Sequence, residues 1–143
     1  MIIDRCRDVG ELFTFFQAHP MNDGLFDFEF IKNNPHLYCA YDEISGKLRA
    51  YANMYSDDGK IFISGASVRK NMPENVDFIM MICKAFNCDI YADTDIKTAK
   101  ILLRKAGFKK LKNNLFVRYK NEFTQKTFRR LQPKRDKKNN TVA

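Results

Sequence analysis

The chain contains 143 residues with a net charge of +8, and this length predicts one compact domain. Its 13 Phe residues argue against intrinsic disorder, its charged first residues argue against a signal peptide, and no apolar run approaches the ~20 residues of a membrane helix. The four Cys and two His residues lack the spacing of a zinc site, so we expect no metal and mostly buried, reduced thiols in a cytoplasmic protein.

The N-terminal part of the chain predicts a short strand followed by a helix. Residues 2–3 begin the strand, and the Asp8 carboxylate is placed to accept hydrogen bonds from the first free N–H groups of the helix. The helix ends before Pro20, because a residue that precedes Pro is disfavoured in the helical region. Residues 21–36 fit either a strand or a short helix. The apolar face predicted for the first helix consists of Val9, Leu12, Phe13 and Phe16.

A meander of three strands follows. Turns are predicted at residues 44–47 and 57–59, the second because Asp and Gly tolerate positive φ. Gly65 lies inside the third strand, where a Gly predicts a bulge or a close approach of another backbone. The predicted strands cover residues 37–41, 48–54 and 61–67.

The C-terminal part of the domain alternates helices and strands. A helix begins near Pro73, a strand covers residues 89–92, and Asp95 is the predicted N-cap of the next helix. Gly107 is placed as a left-handed C-cap residue, and residues 109–120 predict a hairpin that turns at Asn113 and Asn114. The predicted buried stripes are Val76, Ile79, Met80, Cys83 and Phe86 in the first helix and Ala99, Leu102, Leu103 and Ala106 in the second.

This order of elements predicts an α/β (α+β) fold. Its sheet is mixed but mostly antiparallel, has six to seven strands, and carries helices on both faces. The strands at residues 61–67 and 89–92 flank a helix, so we expect them to pair in parallel through a right-handed crossover.

The segment 89–99, which reads DIYADTDIKTA, and the segment 103–108, which reads LRKAGF, follow the strand–helix–Gly–Phe pattern of a known family. With the order of elements over residues 1–120, they resemble the GNAT family of N-acetyltransferases. The layout is also similar to that of the small acetyltransferase-like proteins of short-tailed phages. The resemblance implies a GNAT fold, and the phage similarity implies a role in a virion or its assembly.

The resemblance also locates a cofactor loop, which in the family is rich in Gly and follows the fourth strand. Counted from Val68, that loop is residues 72–77, which contain no Gly, include Pro73 without an N–H, and carry Glu74 and Asp77. The family's proton-donating Tyr corresponds to Leu103, and the Asn of its helix motif corresponds to Ile96. We therefore expect no catalytic residue and no bound cofactor. The open alternative is an acetyl-CoA-dependent N-acetyltransferase with cofactor contacts at Ala66, Ser67, Val68, Arg69 and Lys70.

The chain ends in a basic tail, which predicts two parts: an acetyltransferase-like domain at 1–120 and the tail at 121–143. The tail contributes +5 of the net charge and the domain +3. Cations of this kind can neutralise phosphates, so a protein partner in an assembly or a nucleic acid is expected there, and a merely solvated extension is the alternative. The candidate contacts are Lys126, Arg129, Arg130, Lys134, Arg135, Lys137 and Lys138. A nucleic-acid-binding module that acts through this tail is a further hypothesis for the function.

Overall fold

The computed structural model describes residues 1–19 and 27–120. The predicted basic tail at 121–143 lies outside the described residues, as does part of the ambiguous segment 21–36. No helix in the described part of the chain is long and apolar enough to cross a membrane. The elements are β1 (Ile2–Asp4), α1 (Val9–Ala18), α2 (Phe28–Asn33), β2 (Leu37–Tyr41), β3 (Leu48–Asp57), β4 (Lys60–Ser67), α3 (Met72–Ala85), β5 (Ile90–Asp93), α4 (Lys97–Lys105), β6 (Lys109–Lys112) and β7 (Leu115–Arg118).

All seven strands form one sheet in the order β1-β2-β3-β4-β5-β7-β6. Neighbouring strands are antiparallel except β4 and β5, which are parallel and joined by α3. The predicted mixed sheet, the parallel pair and its helical crossover are therefore confirmed.

Each face of the sheet buries its own apolar cluster. Helices α1 and α2 cover one face, where Leu12 and Ile31 pack against Tyr51 of β3. Helices α3 and α4 cover the other face, where Phe78 and Leu103 pack against the sheet. Strand β3 is buried on both faces over most of its length because it lies between the two clusters.

The predicted boundaries of α1 are right, and its predicted buried face is right in part: Leu12 is buried and Phe16 is half-buried against the same cluster. The Asp8 carboxylate accepts from the N–H groups of Gly10 and Glu11, and the helix ends at Ala18. Val9 and Phe13, however, are 50% and 41% exposed. Leu12 and Phe15 are the buried residues, since the ring of Phe15 packs edge-on against Tyr51 across the sheet face.

The other two long helices also need correction. In α3 the predicted Cys83 is buried, and the rest of the predicted stripe is only partly buried against the core. The fully buried set also includes Asn75, whose side chain donates to the Val68 carbonyl just after β4. In α4 the N-cap residue is Ile96 rather than Asp95, and no side chain caps the helix. The predicted left-handed Gly107 is confirmed with a φ of 97°, and Asn113, at the predicted hairpin turn, has a positive φ of 44°. The residues of α3 that are buried are Asn75, Phe78, Ile82 and Cys83.

Candidate functional site

The sheet opens between its two parallel strands. The β4–β5 ladder contains only the pairs Ile61–Ile90 and Phe62–Tyr91, whereas β4 continues to Ser67. Residues 63–67 therefore pair with β3 on one side and have no ladder partner on β5. Backbone groups on an unpaired strand edge are available to a ligand or to another chain. This open edge of β4 and the adjoining start of α3 form the candidate site.

Gly65 lies in the middle of the open edge. A Cβ built at this residue would overlap the carbonyl oxygen of Tyr51 and lie 3.0 Å from its carbonyl carbon. The atoms in the way belong to the backbone of β3, so a side chain at Gly65 would force the two strands apart. Of the two possibilities predicted for this Gly, the close backbone approach is correct. The bulge is not, because the β3–β4 register continues unbroken past Gly65.

The connection from β4 to α3 is shorter than the predicted cofactor loop. It consists of residues 68–71, and residues 72–77 form the first turns of α3. Asn71 is the N-cap residue, with a left-handed φ of 62°, and its side-chain oxygen accepts from the N–H of Glu74 at 3.3 Å. The predicted helix start near Pro73 is confirmed, because α3 begins at Met72 and Pro favours the first helical positions. Residues 72–77, which the family resemblance placed in the cofactor loop, are therefore helical.

An arginine that is largely shielded from solvent ties this connection to the sheet. Arg49 is an extra residue in β3, since Tyr41 pairs with Leu48 and Ala40 pairs with Ala50. A β-bulge of this kind re-aims a side chain, and here the guanidinium reaches the start of α3. Its Nη2 donates to the Lys70 carbonyl at 3.0 Å and to Asn75 Oδ1 at 2.8 Å, and its Nη1 lies 3.0 Å from Glu74 Oε1.

Asn75 completes the clamp by donating from Nδ2 to the Val68 carbonyl at 2.8 Å. Asn75 is only 3% exposed, and the Arg49 side chain is 11% exposed. We name the set Arg49, Asn71, Glu74 and Asn75 the α3 clamp. Sequence reasoning missed it, because an Arg in a strand and an Asn within an apolar helical stripe have no distinctive spacing.

The resemblance to the GNAT family places the coenzyme A pyrophosphate at the start of α3. The residues present there do not fit a pyrophosphate. The N–H groups of Glu74 and Asn75 already donate to Asn71, and Pro73 has no N–H. The Glu74 carboxylate adds negative charge at the same place, and like charges repel. The carbonyl and side chain of Asn71 thus engage two of the N–H donors that a phosphate would need.

Polar atoms also line the α1 side of the open strand. Tyr51 Oη, Asn53 Nδ2 and Ser64 Oγ are buried and find no hydrogen-bond partner within the described residues. Asn53 and Ser64 are cross-strand neighbours on β3 and β4. Burial raises the pKa of the Tyr51 hydroxyl to about 12, so this group stays protonated near neutral pH. Unsatisfied buried groups of this kind are satisfied by ordered water or by a polar ligand.

No acid–base machinery is assembled at the open edge in the described ranges. Residues 63–67 carry no titratable side chain. Leu103, at the position of the family's Tyr, is 7% exposed and belongs to the apolar cluster, as expected for a core residue. No group of three His, Cys, Asp or Glu side chains is placed to hold a metal among residues 1–19 and 27–120.

The residues predicted for cofactor contact lie close together in the chain but differ in exposure. Ala66, Ser67 and Val68 are half-buried at the end of the open edge, whereas Arg69 and Lys70 are exposed in the connection. The N–H of Val68 donates to the Arg49 carbonyl at 2.9 Å, so it is already engaged with β3. The predicted tail contacts lie outside the described residues.

The four cysteines are all free. Cys39 and Cys83 are buried, and Cys6 and Cys88 are half-buried. Burial raises the pKa of both buried thiols to about 12, so thiolate chemistry at these two residues is suppressed near neutral pH.

Comparison with known proteins gives a match at the level of structure. No protein-family model matches the chain, and no curated protein matches its sequence. A solved structure, described as an acetyltransferase of the GNAT family from Streptococcus pneumoniae, superposes with a TM-score of 0.55 at 14% sequence identity. The match covers 81% of this chain and 95% of the other. The chain therefore has the GNAT fold.

Proposed function

We propose that this chain is an acetyltransferase-like protein that has lost catalysis and acts as a structural or interaction component. The observation that carries the proposal is the α3 clamp. Asn71 caps the helix and Arg49 pairs with Glu74 at the start of α3, where a cofactor phosphate would need free donors and no carboxylate. Arg49 Nε is buried and has no hydrogen-bond partner within the described residues. The open edge of β4 adds no general acid or base. Fold alone does not fix function, so the site decides.

The test is binding of acetyl-CoA to the full chain, measured by calorimetry and by thermal unfolding. A ligand that binds only the folded state must raise the melting temperature, so we expect no heat of binding and no shift. The variant Glu74→Gln is a matched control, because it removes the carboxylate charge and keeps the side-chain shape. A low-micromolar dissociation constant for the unmodified chain would overturn the proposal.

One observation favours a second candidate, an acetyl-CoA-dependent N-acetyltransferase. The open edge of β4 exposes backbone groups beside Gly65, and such groups can hold an acyl oxygen. In that case Ala66, Ser67, Val68, Arg69 and Lys70 would contact the cofactor. Acetyl-CoA hydrolysis or transfer to a panel of amines, lost on Gly65→Ala but retained in a Lys47→Ala control, would support this candidate instead.

The expected binding partner of the basic tail is part of the same proposal. We expect a protein or a nucleic acid to contact the basic tail, through Lys126, Arg129, Arg130, Lys134, Arg135, Lys137 and Lys138. Deleting residues 124–143 should leave thermal unfolding unchanged and weaken binding of an acidic partner. An unchanged affinity would mean that the tail is only solvated. The narrower idea of a phage-virion component stays a prediction from layout, and the comparisons give it no support.

A further inference from the structure

The segment that forms α4, β6 and β7 contributes basic side chains and no acidic ones. From Lys97 to Lys120 the chain has nine basic side chains and no acidic one, although the first 96 residues hold 15 acidic and nine basic side chains. The nine are Lys97, Lys100, Arg104, Lys105, Lys109, Lys110, Lys112, Arg118 and Lys120, and we call them the α4–β6 band.

The fold gathers these residues at one end of the molecule. Strand β6 is the edge of the sheet, and α4 contacts it. Both elements are roughly 13 Å long, so the band extends over several phosphate spacings of a nucleic acid. Lys100 and Arg118 are half-buried, and the other members are exposed. Three acids border the band: Asp93 and Asp95 precede α4, and Asp89 Oδ1 accepts from the N–H of Lys120 at 3.0 Å.

An ordinary structural reason explains part of the band. Lysines and bulges on an edge strand hinder unwanted pairing with other chains, and β6 has both. This reason does not extend to the four basic residues of α4. Acidic side chains would solvate that helix equally well, and an acid near its start would suit the helix dipole better. The absence of acidic side chains from α4 therefore needs an explanation other than protection of the sheet edge.

We propose that the α4–β6 band binds the phosphate backbone of a nucleic acid. A surface of one charge sign raises the local concentration of a polyanion, and flexible lysines contact phosphates without reading sequence. The uncapped start of α4 adds the positive end of a helix dipole. Binding at the band requires neither the predicted tail contacts nor a catalytic domain.

An anionic membrane surface would meet the same charges but fits less well. A membrane-surface helix needs an apolar face turned outward. The apolar face of α4 is turned inward, with Leu103 7% and Ala106 0% exposed. The partly exposed Ile101 and Leu111 belong to different elements, so neither builds an insertion face.

The experiment compares two charge-reversal variants of the full chain. The band variant is Lys97→Glu, Lys110→Glu and Lys112→Glu. The control variant is Lys32→Glu, Lys47→Glu and Lys84→Glu, which changes the net charge equally at exposed lysines elsewhere. Binding to a fluorescent DNA duplex of about 20 base pairs is measured by anisotropy between about 50 and 200 mM salt. Vesicles of phosphatidylserine and phosphatidylcholine are tested in parallel.

We expect the band variant to bind the duplex at least about tenfold more weakly, with a salt slope smaller by about 1 for each substituted lysine that neutralises a phosphate. The control variant should weaken binding much less and keep its slope. Equal weakening in both variants would mean that net charge alone acts, and unchanged binding in both would place the interaction elsewhere. Both results overturn the proposal, as would binding to vesicles without binding to DNA. If circular dichroism finds the band variant unfolded, the same substitutions to Gln replace it.

Discussion

Helices α3 and α4 lie on the same face of the sheet. Helix α3 follows β4 and α4 follows β5, the two parallel strands between which the sheet opens. The N-termini of the two helices nevertheless differ. At α3, Asn71 caps the helix and Arg49 holds the Glu74 carboxylate. At α4, Ile96 occupies the cap position without a side-chain hydrogen bond, and Lys97 follows directly. One helix start is filled by the chain's own polar groups, and the other has no side-chain cap hydrogen bond and begins with a lysine.

The difference between the two helix starts shows that the fold alone does not determine where a ligand binds. A helix that follows a strand of an open α/β sheet has an N-terminus suited to anions. In this chain the α3 clamp occupies the N-terminus of α3, next to the open edge of β4. Basic residues accumulate instead on the next helix, α4. The location of a binding surface is therefore set by side chains rather than by topology.

The largest expected effect tests which interaction holds α4 on the domain, since no side-chain cap stabilises this helix. Leu103→Ala should lower the free energy of unfolding by about 2–5 kcal/mol, because it leaves a cavity in the cluster beneath the helix. Ile101→Ala is the matched control, since Ile101 is on the same helix but 42% exposed. Urea unfolding measures both, and similar small decreases would mean that α4 is not held by its apolar face.

The next effect tests what holds the start of α3. Arg49→Met should lower the free energy of unfolding by about 2–3 kcal/mol, because it leaves Asn75 and the Lys70 carbonyl without their charged donor. Lys47→Met, a change at an exposed position of the preceding turn, should alter stability by no more than about 0.5 kcal/mol. Chemical denaturation of the two variants makes the comparison, and equal destabilisation would contradict a structural role of the clamp.

The contrast between the two helices was only partly predictable from sequence. Element order and the parallel strand pair follow from periodicity and from the special conformations of Gly and Pro. At Gly65 the sequence left a bulge and a close backbone approach open, and the structure selects the close approach. The α3 clamp does not, because it depends on a one-residue bulge that turns Arg49 toward the helix. The cap of α4 was misplaced by one residue, since Asp95 fits the cap preference and only three-dimensional structure selects Ile96.

The smallest expected effects have opposite signs at the two helix starts. Asn71→Ala should lower the free energy of unfolding by about 1–2 kcal/mol, because it removes the cap and places Ala at a φ of 62°. Ile96→Asp should raise it by about 0.5 kcal/mol, because a carboxylate would accept from the free N–H groups and suit the helix dipole. Ile96→Asn is the control that supplies a cap without charge, and thermal unfolding at low and high salt separates the two contributions. Lower stability in both Ile96 variants would mean that the side chain of Ile96, which is 36% exposed, packs against the domain more strongly than a cap could replace.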